Sequence, residues 1–502
     1  MSSKERWYTG ITRYQWLVLI ICLVGWMFDI FEGQIYVAVQ RESMPSLIAA
    51  GNPDIGLTEL KAKTEIYNQY ALISFLLGGT LGGIVFGMLS DRFGRKQMMA
   101  WSILFYSFFT CLTSFSMEWW HLACLRFFVA IGVGGQWAIA SAFVAETFPS
   151  KARAHAASMF HAFGSFGTLL AAAVGAVMLG STAIQTWTET TALLAWTENI
   201  YEPTSLPWRL CFALGLIPSV IVFFIFVFLK EPESWKAAQE AAKKDSTKRV
   251  GSIADLFQKD TVRGTFVGVT LATIGMATFW GVHIRGKDTL HIAAENQMIA
   301  ETELKDVTGI APDCGEMEGI ARVVQRGPET ERKYYGVTAE QDALLKRWEM
   351  LGMVIATLGL LFGQLFFGPL SQRIGRRGAF VFFHIGAFIV AVFVFQLAKN
   401  LESVTPLYFL LPVFGFFTAG MASGYAVYFP ELYPSRLRGT GVGFCFNMGR
   451  FMASPVLLAL GAMVSWAGIS FMDAFTILSF FYLLGPIAIY FAKETRGQEL
   501  ME

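Results

Sequence analysis

The stretch Gly87–Lys96 reads GMLSDRFGRK and places charges and glycines in a short turn between two apolar runs. A related stretch, GPLSQRIGRR, occupies Gly368–Arg377, about 280 residues later, with glycine, leucine, serine and arginine at matching positions. A second pair follows in the same order and at nearly the same offset, because Glu146–Arg153 reads ETFPSKAR and Glu431–Arg438 reads ELYPSRLR. Two motifs repeated in the same order predict two homologous halves, which is the parallel-repeat organisation of duplicated membrane bundles.

The composition is that of a chain embedded in lipid. Of the 502 residues, 54% are hydrophobic and 15% are charged, and the mean hydropathy is +0.48. A net charge of +1 leaves no basic excess for a nucleic-acid partner. The six cysteines show no CxxC spacing, so we expect no disulfide framework, no metal site and no cofactor. No phosphate loop or catalytic constellation is visible, so we do not expect an enzyme.

Twelve apolar windows are long enough to form helices across a bilayer core of about 30 Å. They lie at 16–39, 68–89, 98–116, 119–145, 155–180, 208–229, 264–284, 349–371, 378–398, 406–428, 440–465 and 472–492. They predict an N-terminal half at 1–229, a linker with helical periodicity at 230–263, a C-terminal half at 264–492 and a tail at 493–502. Lys and Arg of the short loops fall on one side, which predicts that this side and both termini face the cytoplasm.

The GxLxDRxGRK pattern of Gly87–Lys96, repeated at Gly368–Arg377, resembles the signature of the major facilitator superfamily. The resemblance covers the chain except for one long segment, and it implies an all-α membrane protein with twelve transmembrane helices in two pseudo-symmetric bundles of six. Three stretches are similar to the sugar-porter and organic-acid branch, namely Pro207–Arg209, Lys230–Trp235 and Lys493–Gly497. Gln372 replaces the acid that Asp91 supplies in the first copy, so an ion-pair latch through that acid is expected in the first half only.

The segment from Arg285 to Lys346 contains about sixty mixed-charge residues, and loops of this length are usually either functional or disordered. Related transporters usually have a short turn at this external position. Because the segment has few large apolar residues, we expect short helices that cap the outer mouth. The alternative is an insert with no role in transport.

Asp29 and Glu32 are ionisable residues inside the first window, where such residues are costly unless they serve a function. Their spacing places both on one face of a helix. Arg126 lies at a compatible depth in the fourth window, which predicts contact with Asp29. The stretch Arg126–Gly135 resembles the fourth span of proton-linked family members, and this implies proton coupling through Asp29, Arg126 and Glu32. The alternative is a static pair that only holds the fold.

Arg450 lies near the middle of the eleventh window, one helical turn from Asn447. Its own helix contains no acid, so it is predicted to bind an anion, and its planar guanidinium suits a carboxylate. The stretch Phe429–Arg450 resembles sialic-acid and aromatic-acid proton symporters. The alternative is that Arg450 pairs with an acid from another helix or with backbone carbonyls.

Several other polar and aromatic side chains are candidates for the substrate cavity. They are Gln34, Gln136, Trp137, His161, Trp280, Gln364, Tyr425 and Tyr428. For the amides and aromatic residues the alternative is ordinary packing or a belt at the membrane interface. His161 could relay protons, or it could hydrogen-bond between helices.

The repeated motifs predict an ion-pair network that closes the cytoplasmic side in one state and breaks in the other. Asp91 and Arg95 are expected at its centre, with Glu146 and Arg153 nearby. The full predicted set is Gly87, Asp91, Arg92, Gly94, Arg95, Glu146, Arg153, Arg376, Glu431 and Arg438. The arginines would also fix the orientation in the membrane, and both interpretations can hold together.

Together these features predict a proton-coupled symporter of a small organic anion, a carboxylate, that acts as a monomer in a cell inner membrane. The first alternative is a sugar or polyol porter, although the seventh window, at Thr270–Trp280, lacks the paired glutamines of hexose porters. A drug-type antiporter is a second alternative, but the fifth window lacks a proline-containing motif. From a different class, the protein could be a non-transporting sensor whose external insert binds a ligand.

Overall fold

The computed structural model is built mainly of α-helices, and it describes residues 6–180, 184, 186–187, 205–245, 249–307, 320–326, 333–467 and 470–501. Each of the twelve predicted windows falls largely on helix. Within the described residues, nine helical stretches are long and apolar enough to cross a membrane, and one of them, Glu340–Lys399, contains two predicted windows. The chain is therefore a multi-pass membrane protein.

The first half consists of long helices followed by two short ones. They are α1 (Arg13–Gly51), α2 (Leu57–Phe93), α3 (Arg95–Thr113), α4 (Trp119–Thr147), α5 (Ser150–Gly180), α6 (Leu206–Ala213) and α7 (Ser219–Phe228). The predicted window 16–39 is too short, since α1 continues past exposed Arg41 to Gly51. The reason is that Met44, Leu47 and Ile48 are buried at helical spacing and hold this extra length against the rest of the half.

The linker contains α8 (Glu233–Lys244), as its periodicity predicts. Trp235 Nε1 and Gln239 Nε2 donate hydrogen bonds to the Asp91 carbonyl at 2.7 and 2.8 Å, so α8 lies against the end of α2. The helices of the second half are α9 (Val262–Thr278), α10 (Gly286–Ala300), α11 (Ala339–Lys399), α12 (Thr405–Gly420), α13 (Ala422–Tyr428), α14 (Arg438–Ala467), α15 (Phe471–Ser479) and α16 (Leu484–Tyr490). A π-helical turn, Phe279–His283, joins α9 to α10.

The repeated motif bends the chain at the same point in both halves. Gly94 has φ of 111° and separates α2 from α3, while Gly375 has φ of 86° and divides α11 into two parts. Only glycine adopts such backbone angles without steric cost, because it lacks a Cβ atom. The two glycines of the signature are therefore needed for the turn between consecutive membrane helices.

The insert contains a small β-sheet after α10. Strands β1 (Lys305–Asp306), β2 (Ile320–Arg326) and β3 (Lys333–Thr338) pair antiparallel in the order β1-β3-β2. The short helices expected in this segment are found in part, as α10, but the sheet was not predicted, and the all-α class must be extended by it. The sequence of β3, KYYGVT, is rich in aromatic and β-branched residues, which favour strands. Cys314 and the rest of residues 308–319 and 327–332 lie outside the described residues.

The two halves meet where α2 packs on α14 and α5 packs on α11. A Cβ atom on Gly87 would lie 2.6 Å from the Gly439 carbonyl oxygen, so the backbones of α2 and α14 are in direct contact. This contact lies at the end of the helices that carries Asp91 and Arg376, which we call the motif end. The opposite end, where α10 and the sheet lie, is called the insert end.

Candidate functional site

Arg450 lies in the middle of α14 and reaches across to the first half. A Cβ atom on Gly79 of α2 would lie 2.6 Å from Arg450 Nη1, so the guanidinium packs directly on α2. The guanidinium carbon also lies 5.4 Å from the centre of the Phe446 ring. Arg450 is half-buried, and no acid among the described residues forms an ion pair with it. A guanidinium in this position is available to an anion.

An aromatic layer lies beside Arg450 and spans the two halves. The rings of Phe446 and Trp137 stack with centroids 3.9 Å apart and an interplanar angle of 26°. Trp137 Nε1 donates a hydrogen bond to His161 Nδ1 at 3.1 Å, and Trp26 Nε1 donates to the His161 carbonyl at 3.0 Å. His161 therefore orients Trp137 against the second half.

Two further predicted residues lie between helices near Arg450. Asn447 is fully buried against Gly83 of α2, and its Nδ2 donates to the Gly443 carbonyl of its own helix at 2.9 Å. No described residue donates a hydrogen bond to Asn447 Oδ1. The Tyr425 hydroxyl donates to the Leu271 carbonyl of α9 at 3.2 Å. Both side chains serve helix contacts in this structure.

Two of the remaining predicted candidates form hydrogen bonds with groups other than Arg450. Gln136 Oε1 accepts a hydrogen bond from Ser102 Oγ at 3.2 Å inside the first half. The Tyr428 hydroxyl donates to the Lys493 carbonyl at 2.7 Å at the motif end. Three candidates are buried or half-buried in their helices, namely Gln34, Trp280 and Gln364.

The expected contact between Asp29 and Arg126 is not formed. Arg126 Nη1 donates to the Glu32 carbonyl at 3.0 Å, and Nη2 donates to the Gly33 carbonyl at 3.2 Å. The guanidinium carbon lies 4.0 Å from the centre of the Phe75 ring, which adds a cation–π contact. Backbone carbonyls of α1 and an aromatic ring thus take the place of the predicted carboxylate.

Asp29 and Glu32 face α3 instead. Asp29 lies beside the Tyr106 hydroxyl and Glu32 beside Thr110. Within the part of the chain that the structure describes, none of the four carboxyl oxygens has a hydrogen-bond partner of normal geometry. Both acids are fully buried. A Cβ atom on Gly215, in the turn after α6, would lie 3.0 Å from Glu32 Oε1. The two acids therefore lie inside the first half, between α1, α3 and the turn after α6.

Asp91, near the end of α2, joins the two halves at the motif end. Its carboxylate accepts hydrogen bonds from the backbone N–H groups of Gly439 and Thr440 at 2.9 and 2.7 Å, and it pairs with Arg95 of its own half. Gly439 and Thr440 lie in the first turn of α14, and the N-terminus of a helix attracts a carboxylate through its unpaired N–H groups. This contact therefore stabilises a closed motif end.

Glu146 and Glu431 occupy equivalent positions in two related ion-pair networks. Glu146 Oε1 lies 3.0 Å from Arg95 Nη2 and 2.7 Å from Arg438 Nη1 of the second half. Glu431 Oε1 lies 2.8 Å from Arg376 Nη2 and 3.9 Å from Arg153 Nη1 of the first half. Arg153 thus pairs with Glu431, while its Nε donates to the Ala145 carbonyl beside Glu146 at 3.1 Å. Each network contains one arginine from the other half.

Gln372 occupies the position equivalent to Asp91, but its side chain donates a hydrogen bond where that of Asp91 accepts. Its Nε2 donates to the Ser150 carbonyl at 3.1 Å, at the start of α5. A neutral amide forms a weaker hydrogen bond than a carboxylate does. As the sequence predicts, only the first copy of the motif forms an ion pair through this position.

A family model described as Major Facilitator Superfamily matches residues 13–293 and 333–500. The chain belongs to the major facilitator superfamily. A putative metabolite transport protein of Haemophilus influenzae is 26% identical over 498 residues, which cover 98% of this chain and 99% of that protein. The sialic acid transporter NanX of Escherichia coli is 24% identical over 455 residues, which cover 90% of this chain and 88% of that protein.

The fold of this major facilitator protein is also that of a solved relative. The proton:xylose symporter XylE, bound to 6-bromo-6-deoxy-D-glucose, matches with a TM-score of 0.61 at 17% identity, covering 97% of this chain and 98% of that one. The predicted family is confirmed, and the protein is a transporter and not an enzyme.

Two acids that cap helices in this major facilitator protein were not among the predicted site residues. Glu231 accepts hydrogen bonds from the backbone N–H groups of Arg95 and Lys96 at 2.8 and 3.1 Å. Glu494 accepts from those of Arg376 and Arg377 at 2.9 and 3.1 Å. Glu231 and Glu494 both lie in stretches that carry the family resemblance, Lys230–Trp235 and Lys493–Gly497.

The two capping acids differ in their electrostatics. Burial raises the pKa of the Glu231 carboxyl above its usual value, although backbone N–H groups bind it. Burial acts in the same direction on Glu494, but hydrogen bonds from backbone N–H groups outweigh it and hold the pKa of Glu494 below its usual value. The carboxylate is therefore favoured at Glu494 and disfavoured at Glu231.

Proposed function

We propose that this protein couples inward proton flow to the uptake of a small organic anion that carries a carboxylate. The observation that carries the proposal is Arg450. Its guanidinium is half-buried in the middle of α14, and no acid among the described residues forms an ion pair with it. A cation at this depth is costly unless an anion binds to it. The planar fork of a guanidinium matches the two oxygens of a carboxylate.

The surroundings of Arg450 fit an anion that contacts both halves. The guanidinium belongs to the second half and packs on Gly79 of the first. Phe446 and Trp137 supply an apolar surface beside it, on which the rest of the substrate would lie. An anion bound here would therefore respond to movement of either half, as alternating access requires.

We assign proton carriage to Asp29 and Glu32. Both carboxyls are buried and lack hydrogen-bond partners of normal geometry among the described residues, so they are suited to gain and lose a proton as their surroundings change. Arg126 binds the backbone of α1 at Glu32 and Gly33, so a shift of α1 against α4 would alter the charge near the acids. Protons would be taken up when the insert end is open and released when the motif end is open.

The architecture that serves this cycle is twelve transmembrane helices in two bundles of six, acting as a monomer without a cofactor. We place the motif end and both termini in the cytoplasm of a cell whose inner membrane holds the protein, because arginine is concentrated at the motif end. Breaking the Glu146 and Glu431 networks would open this end. The name of the relative NanX, a sialic acid transporter, supports an acid as substrate, whereas the likeness to XylE supports the fold alone.

The proposal is tested by uptake into vesicles that contain the purified protein. Labelled aliphatic acids, aromatic acids, sugar acids and neutral sugars are each offered with and without an inside-alkaline proton gradient. We expect accumulation of at least one acid only when the gradient is present. Accumulation of a neutral sugar, or accumulation that a sodium gradient drives and a proton gradient does not, would contradict the proposal.

A further inference from the structure

The last described residues of the chain fold back under the motif end and are fixed to the second half at two points. Thr495 Oγ1 donates a hydrogen bond to Glu431 Oε2 at 2.5 Å. The Met501 carbonyl accepts hydrogen bonds from Arg438 Nη2 at 2.9 Å and from the Ser435 backbone N–H at 3.2 Å. Residues 498–501, which we call the strap, therefore move with the second half.

Between these two points the strap contacts the first half. The Gln498 carbonyl accepts a hydrogen bond from Arg153 Nη1 at 3.3 Å, and Glu499 Oε1 accepts one from Ser150 Oγ at 3.0 Å. Glu499 Oε2 also lies 3.8 Å from Arg153 Nη2. Gly497 has φ of 72°, which turns the chain toward the first half. The strap thus crosses the boundary between the halves.

The strap supplies hydrogen bonds that the carboxylates of the motif end do not. Arg438 is fully buried, and its Nε and Nη1 are already bound to the Pro430 carbonyl and to Glu146. The Met501 carbonyl takes the hydrogen bond of the remaining nitrogen, Nη2. Buried Arg153 likewise donates a hydrogen bond to the Gln498 carbonyl. A buried guanidinium that loses such a partner is destabilised, because a charged donor is left unpaired.

We propose that the strap is a third component of the closed motif end, beside the two ion-pair networks. It stabilises the closed state by joining Arg153 and Ser150 of the first half to the second half. Its contacts with those two residues must break before the halves separate at this end. The inference rests on the proposed alternating access, but it is independent of which substrate is carried and of which ion is coupled.

The test is a distance measurement between spin labels at Phe93→Cys and Ile374→Cys, with the six native cysteines replaced by serine. Both positions are exposed at the motif end and lie in different halves. The measurement is made in lipid discs without substrate or gradient, so a failure of the proposed function does not affect it. In the variant lacking residues 498–502 we expect the ratio of wide to narrow distances to rise at least about fivefold.

Two companion variants complete the test. Arg496→Ala is the matched control, because the exposed Arg496 side chain lies outside the strap and donates to the Arg373 carbonyl within the second half at 2.7 Å, so we expect a change within about twofold. Gln498→Pro keeps the chain at full length but removes the N–H that bonds to the Thr495 carbonyl at 3.1 Å, and it should act like the truncation. An unchanged distance distribution in both the truncation and Gln498→Pro would overturn the proposal. So would an Arg496→Ala effect as large as that of the truncation.

Discussion

Glu146 Oε1 lies 2.7 Å from Arg438 Nη1, whereas the equivalent pair of Glu431 and Arg153 is separated by 3.9 Å. The side chains of both pairs are buried, and both pairs join the two halves of the chain. The repeat has therefore produced one close and one loose ion pair at the motif end. Because Coulomb attraction falls with distance and a close pair also forms hydrogen bonds, the first network should contribute more to closure.

Arg438→Ala should open the motif end more than Arg153→Ala does. Removing one partner of a close buried pair leaves the other charge unpaired, which costs about 3–5 kcal/mol. We expect the wide spin-label distances at the motif end to dominate in Arg438→Ala and to rise less in Arg153→Ala. The two arginines occupy equivalent places in the repeat, so each is the control for the other. Equal shifts would show that pair distance does not rank the two networks.

Arg450→Lys should reduce substrate affinity at least about tenfold while the amount of protein in the membrane stays the same. Lysine keeps the positive charge but lacks the planar fork that binds both oxygens of a carboxylate. Affinity is measured as the concentration that half-saturates uptake of the acid identified by the vesicle screen, with abundance from the same membranes. Uptake indistinguishable from that of the unaltered protein would remove Arg450 from the site.

Asp29→Asn should abolish uphill uptake driven by an inside-alkaline gradient and leave exchange of labelled for unlabelled substrate intact. An asparagine side chain cannot bind and release a proton at physiological pH. Exchange needs alternating access but no net proton release. Accumulation and exchange are followed side by side in vesicles. Glu32→Gln is the matched variant, since Glu32 is equally buried on the same helix. If Asp29→Asn still concentrates substrate and Glu32→Gln does not, Glu32 is the proton carrier.

Glu494→Gln should lower the thermal unfolding temperature near pH 7, and Glu231→Gln should leave it unchanged or raise it. The lowered pKa of Glu494 means that its charged form stabilises the fold above its unfolded-state pKa, and that this stability is lost as the pH falls through the folded-state value. The raised pKa of Glu231 means that its charge destabilises the fold as the pH rises.

Unfolding of both variants is followed between about pH 4 and pH 8. The difference between Glu494→Gln and the unaltered protein should begin to shrink as the pH falls below the unfolded-state pKa of glutamate toward the lower folded-state value. A destabilisation of equal size in the two variants at neutral pH would contradict the electrostatic distinction between the two caps.

The candidate site could be predicted only in part. Arg450 was identified because a cation inside an apolar window is conspicuous in any sequence. The partner of Arg126 was not, because the backbone carbonyls of Glu32 and Gly33 compete with the Asp29 carboxylate, and sequence spacing does not rank them. The capping roles of Glu231 and Glu494 were not predicted for a similar reason, since their partners are backbone N–H groups distant in the chain.

The sequence alone determined the two related halves, the positions of the membrane helices and the charged residues of the motif end. Lipid imposes these features locally, because each apolar window must satisfy its own backbone and each motif repeats within a single turn. Only the tertiary structure decided that Asp29 and Glu32 face Tyr106 and Thr110 of α3, that Arg153 pairs with Glu431, and that the strap crosses the two halves. These contacts join residues far apart in the chain, and they depend on the rotation and tilt of each helix, which local periodicity does not specify.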